Sequence, residues 1–105
     1  MQNYEDPSMK RDGESAVVYA GDYLNKLSGE AVERACKNHL NAGAKTLVVN
    51  FSETELVNSI GISILLGVID AAQGAGAKIV FSDVKDETVE LFKMLGLTNH
   101  VTMAN

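Results

Sequence analysis

What this chain lacks narrows it quickly. A single cysteine among 105 residues, Cys36, rules out an internal disulfide. At helical spacing from Val32 and Leu40 it reads as a small core residue rather than a redox centre. Two histidines and that one cysteine, none at ligand spacing from another, leave little from which to build a metal site, and no cofactor is expected. Nine Lys and Arg stand against fourteen Asp and Glu, for a formal net charge of −5. The bases are dispersed, so the clustered cations that a phosphate backbone needs are missing and nucleic acid is excluded as a partner. No segment approaches the roughly eighteen consecutive apolar residues of a membrane span, and Met1 to Arg11 is polar, with Glu5 and Asp6 beside Lys10 and Arg11, unlike a signal peptide. The expectation is a cytoplasmic protein without membrane insertion. The only proline sits in MQNYEDPSM, so residues 1–9 are expected to form a flexible N-terminal tail. Residues 10–105 are then one domain, since a chain 46% hydrophobic and 22% charged at this length holds one core and not two.

What is present alternates. Ser15 to Ala20, SAVVYA, reads as a first strand closed by a turn at Gly21-Asp22. Leu27-Ser28-Gly29-Glu30 opens a helix with Ser28 as N-cap, Val32, Ala35, Cys36 and Leu40 inward, and Gly43 as its stop. Thr46 to Phe51 is a continuous apolar run, as expected of a central strand. A second helix starts near Ser59 and ends in Gly74-Ala75-Gly76-Ala77, followed by the strand KIVFS from Lys78 to Ser82. Asp86 caps a short helix with Val89, Phe92 and Leu95 inward, Gly96 ends it, and Val101 to Met103 adds a last strand. The order β-α-β-α-β-α-β implies an α/β layer architecture in a single domain. Its sheet should be mixed but mostly parallel, with about three to four helices.

The second helix carries the most information. On a wheel of about 100° per residue, Gly61, Leu65, Val68, Ile69 and Ala72 form one stripe. Ser59, Ile60, Ser63, Gly67, Asp70 and Ala71 fall opposite, on a face that is small, smooth and nearly uncharged. A helix apolar on both sides is buried on both sides or completed by another molecule, and so short a chain rarely sandwiches a helix fully. That face reads as a docking surface.

Groups that could converge on catalysis are few. His39 lies one position off the buried stripe of the first helix and His100 lies near the C-terminus; neither has a carboxylate at a spacing that suggests an oriented pair. Glu53 and Glu55, two apart before the key helix, solvate a loop more readily than they form an acid-base pair. A phospho-acceptor receiver domain needs a strand-end aspartate and an acidic pair, whereas here the central strand ends at Asn50 and Asp22 stands alone. Ser59, Ile60 and Gly61 would offer free N–H groups to a phosphate at the helix start, yet neither GxxxxGK[ST] nor GxGxxG occurs. Capping is the plain reading of Ser59, and close packing against the sheet that of Gly61. No catalytic residue is assigned.

Around this helix the sequence resembles the STAS domain family of anti-sigma factor antagonists and their relatives in regulation and transport. The familiar strand ending D-x-S, loop and D-S-S-G-hydrophobic-G helix start read here as Asn50-Phe51-Ser52, Glu53 to Val57, and Asn58-Ser59-Ile60-Gly61-Ile62-Ser63. Ala20-Gly21-Asp22-Tyr23-Leu24 is similar to the turn after the first strand. Glu90-Leu91-Phe92-Lys93-Met94-Leu95-Gly96-Leu97 is similar to the L-F-x-x-x-G-L ending. The resemblance covers about residues 12 to 104.

It implies a regulator working by partner exchange, in which the unphosphorylated domain docks on an anti-sigma factor or serine kinase of the ATPase type and phosphorylation switches docking off. The implied partner-binding residues are Asp22, Tyr23, Ser52, Glu53, Asn58, Ser59, Ile60, Gly61, Ser63 and Gly67. The family's phospho-acceptor, the second serine of D-S-S-G, is Ile60 here and has no hydroxyl; Asn58 replaces the aspartate and Ser63 the second glycine. Three readings stay open: Ile60 holds the protein in its binding form, the phosphate moves to Ser59 or Ser63, or Ile60 tucks under the loop near Leu56 as a hydrophobic staple. A STAS subunit of a transporter or sensory complex, without phosphorylation switching, is the alternative function. A small ligand or nucleotide at the helix start is a third, and the oligomeric state stays open.

Overall fold

Alternation along β1 (Glu14–Tyr19) sets the geometry of the whole layer: Ala16, Val18 and Ala20 are buried while Ser15, Val17 and Tyr19 are exposed. The computed structural model describes residues 14–104; the expected tail of residues 1–9 lies outside them. After β1 come a two-residue strand β2 (Tyr23–Leu24), helix α1 (Lys26–Asn41), β3 (Ala44–Asn50), a second two-residue strand β4 (Leu56–Val57) and helix α2 (Ser59–Gly74). Then follow β5 (Lys78–Ser82), α3 (Asp86–Met94), a 3₁₀ turn over Leu97–Asn99 and β6 (Thr102–Ala104).

Four strands make the main sheet in the order β1-β3-β5-β6, and every ladder between them is parallel. Strands added in chain order through crossovers of the same hand carry their helices onto one face of the sheet. Leu47 and Val49 of β3, Phe51 just after it, and Ile79 and Phe81 of β5 are buried on that face with Val32 and Cys36 of α1, Leu65, Val68, Ile69 and Ala72 of α2, and Phe92 of α3. Phe51, Phe81 and Phe92 meet edge-on or tilted, with ring centroids 5.0 to 5.6 Å apart.

The expected alternation of strands and helices is present, together with two short strands that periodicity cannot show. β2 and β4 form their own parallel pair, Tyr23 opposite Leu56 and Leu24 opposite Val57. Three local assignments are corrected. Asn25, not Ser28, caps α1: its side chain accepts from the Ser28 N–H at 3.0 Å while the Ser28 hydroxyl accepts from the Asn25 N–H at 3.0 Å, a reciprocal capping box that puts Ser28 inside the helix. Asp86 is the first residue of α3 rather than its cap; Lys85 holds the cap position without a capping hydrogen bond from its side chain. Leu95 follows α3 and is exposed, and Leu91 packs against the core beside Val89 and Phe92. As expected, Gly43 and Gly96 carry positive φ just beyond α1 and α3.

The two-sided apolarity of α2 also finds its reason. A Cβ on Gly29 of α1 would press on the Ile64 side chain, and one on Gly67 would meet a Glu33 carboxylate oxygen at 3.5 Å. Ile60, Ile64, Gly67 and Ala71, spaced i, i+4, i+7 and i+11, are therefore the stripe that runs along α1. The sheet takes one side of α2 and α1 takes part of the other, from Gly29 against Ile64 to Glu33 beside Gly67, while Ile60 in the first turn keeps 46% of its surface in solvent.

Candidate functional site

The carboxyl ends of β1 and β3 are tied together by backbone. Gly21, at φ +84°, turns the chain out of β1. The Asp22 carbonyl then accepts from the N–H groups of Glu55 at 2.7 Å and Leu56 at 3.4 Å, and the Asn58 N–H donates to the Leu24 carbonyl at 3.0 Å. Buried Thr54 donates its hydroxyl to the Gly21 carbonyl. Lys85 clamps the same loop from the β5–α3 side, donating to the Thr54 carbonyl at 2.9 Å and standing 3.4 Å from the Glu55 carboxylate. At the loop's start, Asn50 accepts from the Ser52 N–H and donates to the Asp83 carboxylate, both at 2.9 Å. Asp22 and Tyr23 are thus held directly against the segment 55–58, far away in sequence.

The entry to α2 departs from the plain reading in which Ser59 is the cap. Asn58 is the cap, its side-chain oxygen accepting from the Gly61 N–H at 2.8 Å. Ser59 is free of that duty and exposed. Gly61 is buried, and a Cβ there would lie 2.5 Å from the Leu24 carbonyl oxygen. The close packing expected of this glycine is therefore against β2, and Gly61 supports the surface from below without contributing a side chain to it. Ser63 is exposed, its hydroxyl donating back to the Ser59 carbonyl at 3.2 Å. Ser52, Glu53 and Gly67 are exposed and Asn58 is half-buried. Ile60 keeps 46% of its surface in solvent, which removes the reading in which it tucks away as a staple.

One apolar side chain outside the expected partner-binding set, Leu56, joins Tyr23 on this surface. Tyr23 and Leu56, opposite each other across the short strand pair, are 41% and 63% exposed. Leu27, in the first turn of α1, is 79% exposed. The sequence signal of Leu56 is weak, because the two-residue strand it opens is too short to show a period. Chemistry-bearing groups do not converge here. No group of three or more His, Cys, Asp or Glu that could hold a metal occurs among the described residues. His39 and His100 are exposed, as expected. Burial first, and then the Glu33 carboxylate, push the Cys36 thiol up to about 12, which leaves it an unreactive core group. No described helix is long and apolar enough to cross a membrane.

Comparison with known proteins agrees with this architecture. The chain superposes on the anti-sigma factor antagonist SpoIIAA in its unphosphorylated form with a TM-score of 0.70 at 13% identity, over 87% of this chain and 79% of that one. A putative anti-sigma factor antagonist from Thermotoga maritima gives 0.77 at 12% identity, with the same coverage of 87% and 79%. The STAS domain of a SulP transporter from Vibrio cholerae gives 0.74 at 15% identity, over 92% and 82%. No curated protein is matched by sequence. The model of the STAS domain family matches residues 6–105. That match spans nearly the whole chain, and the chain belongs to the STAS domain family.

Proposed function

We propose that this protein is an anti-sigma factor antagonist-like binding module, not an enzyme, that docks on an anti-sigma factor or serine kinase through the 52–58 loop and the open first turns of α2. Exposed Ile60 is the observation that carries this reading. At the position where family members bear the phosphorylated serine, this chain places an apolar side chain in solvent, beside the exposed pair Tyr23 and Leu56. Burying such a side chain against a partner contributes roughly 1.5 to 3 kcal/mol. A phosphate at the same position would add nearly two negative charges and oppose docking by repulsion and desolvation. The matched SpoIIAA is known in unphosphorylated and phosphorylated forms; with isoleucine in place of the acceptor, this chain stays in its binding form. Asp22, Tyr23, Ser52, Glu53, Ser59, Ser63 and Gly67 border the contact, and Asn58 and Gly61 shape it.

The test is a tagged pull-down of the protein from its own cytosol with mass spectrometry. Recovery of an anti-sigma factor or serine kinase, lost on Ile60→Glu, supports the reading; undiminished affinity of that variant counts against it. A displaced switch is checked by incubating the protein with the recovered kinase and ATP, where phosphate on peptides containing Ser59 or Ser63 replaces constitutive binding with regulation. The likeness to a transporter's STAS domain favours a second reading, a non-switching subunit of a transport or sensory complex. Recovery of a transporter subunit selects it.

A further inference from the structure

Charge on the loop before α2 and on α2 itself is of one sign. Between Lys45 and Lys78 the sequence holds no Lys, Arg or His, and the span supplies the whole loop and the whole of α2. Its ionised side chains are Glu53, Glu55 and Asp70, all exposed. β2 brings Asp22 to the same loop and brings no base. The cations that approach from other elements are already engaged: Lys85 with Glu55 and the Thr54 carbonyl, Lys26 with Glu30 at 3.3 Å, Lys37 with Glu33 at 3.5 Å. Among the described residues no ion pair involves Asp22, Glu53 or Asp70. Exposed Tyr23, Leu56 and Ile60 thus stand beside carboxylates that no ion pair among the described residues offsets.

Such a face rejects most occupants. A second copy docked by the same patch would set acidic rims against each other, and anionic lipid or nucleic acid would be repelled. Apolar area with an anionic rim is met best by an apolar ridge flanked by guanidinium or ammonium groups, because the rim charges then steer the encounter and reject like-charged competitors. We infer that the partner surface of this face is a protein segment with an apolar ridge flanked by Arg or Lys, and that Asp22 and Glu53 are the residues that select it. This rests on the docking face of the reading above but not on the partner being a kinase.

The probe is a pair of short synthetic helical peptides with the same leucine face, one flanked by arginines and the other by glutamates, titrated against the isotope-labelled full chain by NMR. The arginine peptide shifts the amides of Tyr23, Leu56, Val57 and Ile60, binds at least about tenfold tighter than its twin, and loses that advantage at high salt. Asp22→Lys with Glu53→Lys inverts the preference, and the milder Asp22→Asn with Glu53→Gln abolishes it; both pairs are exposed substitutions whose fold is checked in the same spectra. Equal binding of the two peptides, binding of neither, or shifts confined to another face overturns the inference. Failure to recover a kinase from cytosol bears on the functional reading alone, and a selective arginine peptide would then leave the partner chemistry standing.

Discussion

Gly61 sits so close to Leu24 that a single added methyl group would meet the Leu24 carbonyl oxygen at 2.5 Å and its Cγ at 3.1 Å. The start of α2 and the short strand β2 are therefore one packed unit. That unit sets where Ile60 and Tyr23 stand relative to each other.

Gly61→Ala should force this contact apart and cost about 1 to 3 kcal/mol, the usual penalty of overpacking against backbone. Gly67→Ala is its control. The new methyl would meet only a Glu33 carboxylate oxygen at 3.5 Å, and replacing a mid-helix glycine by alanine contributes up to about 1 kcal/mol of stability. Urea denaturation of the two variants should move the midpoint in opposite directions; a neutral Gly61→Ala would mean that the contact with Leu24 yields freely.

Ile60→Glu should leave thermal stability within about 0.5 kcal/mol, as an exposed substitution, while removing partner binding in calorimetry. Ile60→Ser should do the reverse of the natural departure and return an acceptor hydroxyl to the entry of α2. Incubated with the cognate kinase and ATP, that variant should take up phosphate at position 60 and then release its partner. Uptake without release would separate phosphorylation from docking.

Asn50 and Asp83 show why an amide suits the end of β3. The Asn50 side chain donates to the Asp83 carboxylate at 2.9 Å, and an aspartate at position 50 would set two carboxylates at that distance. Asn50→Asp should lower stability at neutral pH by roughly 0.5 to 1.5 kcal/mol, since the bond is exposed and screened. Asp83→Asn in the same chain should recover it by giving back one donor. A double-mutant cycle by urea denaturation reads the coupling, and additive losses would show the pair to be idle.

Cys36 predicts a pH dependence at the alkaline end. Its thiol ionises at about 12 in the folded protein against 9.0 without that environment, because burial first and Glu33 second oppose the thiolate. The folded state holds the proton more tightly, so this contribution to stability is complete below pH 9.0 and is lost as pH rises toward about 12. Cys36→Ala should flatten the stability profile across that window. At pH 8 a maleimide reagent should label the native protein only as fast as it opens; rapid labelling without denaturant would contradict the buried placement.

Much of this could be read from the residues alone because it rests on local periodicity. The alternation in SAVVYA, the apolar run TLVVNF and the KIVFS strand declare themselves through a repeat of two, and the stripe Leu65, Val68, Ile69 and Ala72 through a repeat near 3.6. Glycines at 43 and 96 mark helix ends, since an αL residue is cheapest there. Single-residue cap assignments fared worse: Ser28 and Asp86 are both good caps by type, and Asn25 and Lys85 took those positions because the chain enters α1 and α3 one to three residues earlier.

The sequence by itself determined an acidic single α/β domain, the order of its elements, the spacing of the STAS pattern and the loss of a hydroxyl at position 60. Tertiary structure alone decided what those residues face. Tyr23 and Leu56 are 33 positions apart, and nothing local announces that two residues on each side will pair. Ile60 shares its stripe with Gly67 and Ala71, yet it is 46% exposed, one turn before Ile64, the residue that Gly29 near the start of α1 packs against. Pairing and coverage are settled by which segments the whole core brings together, a long-range outcome that short-range pattern cannot carry.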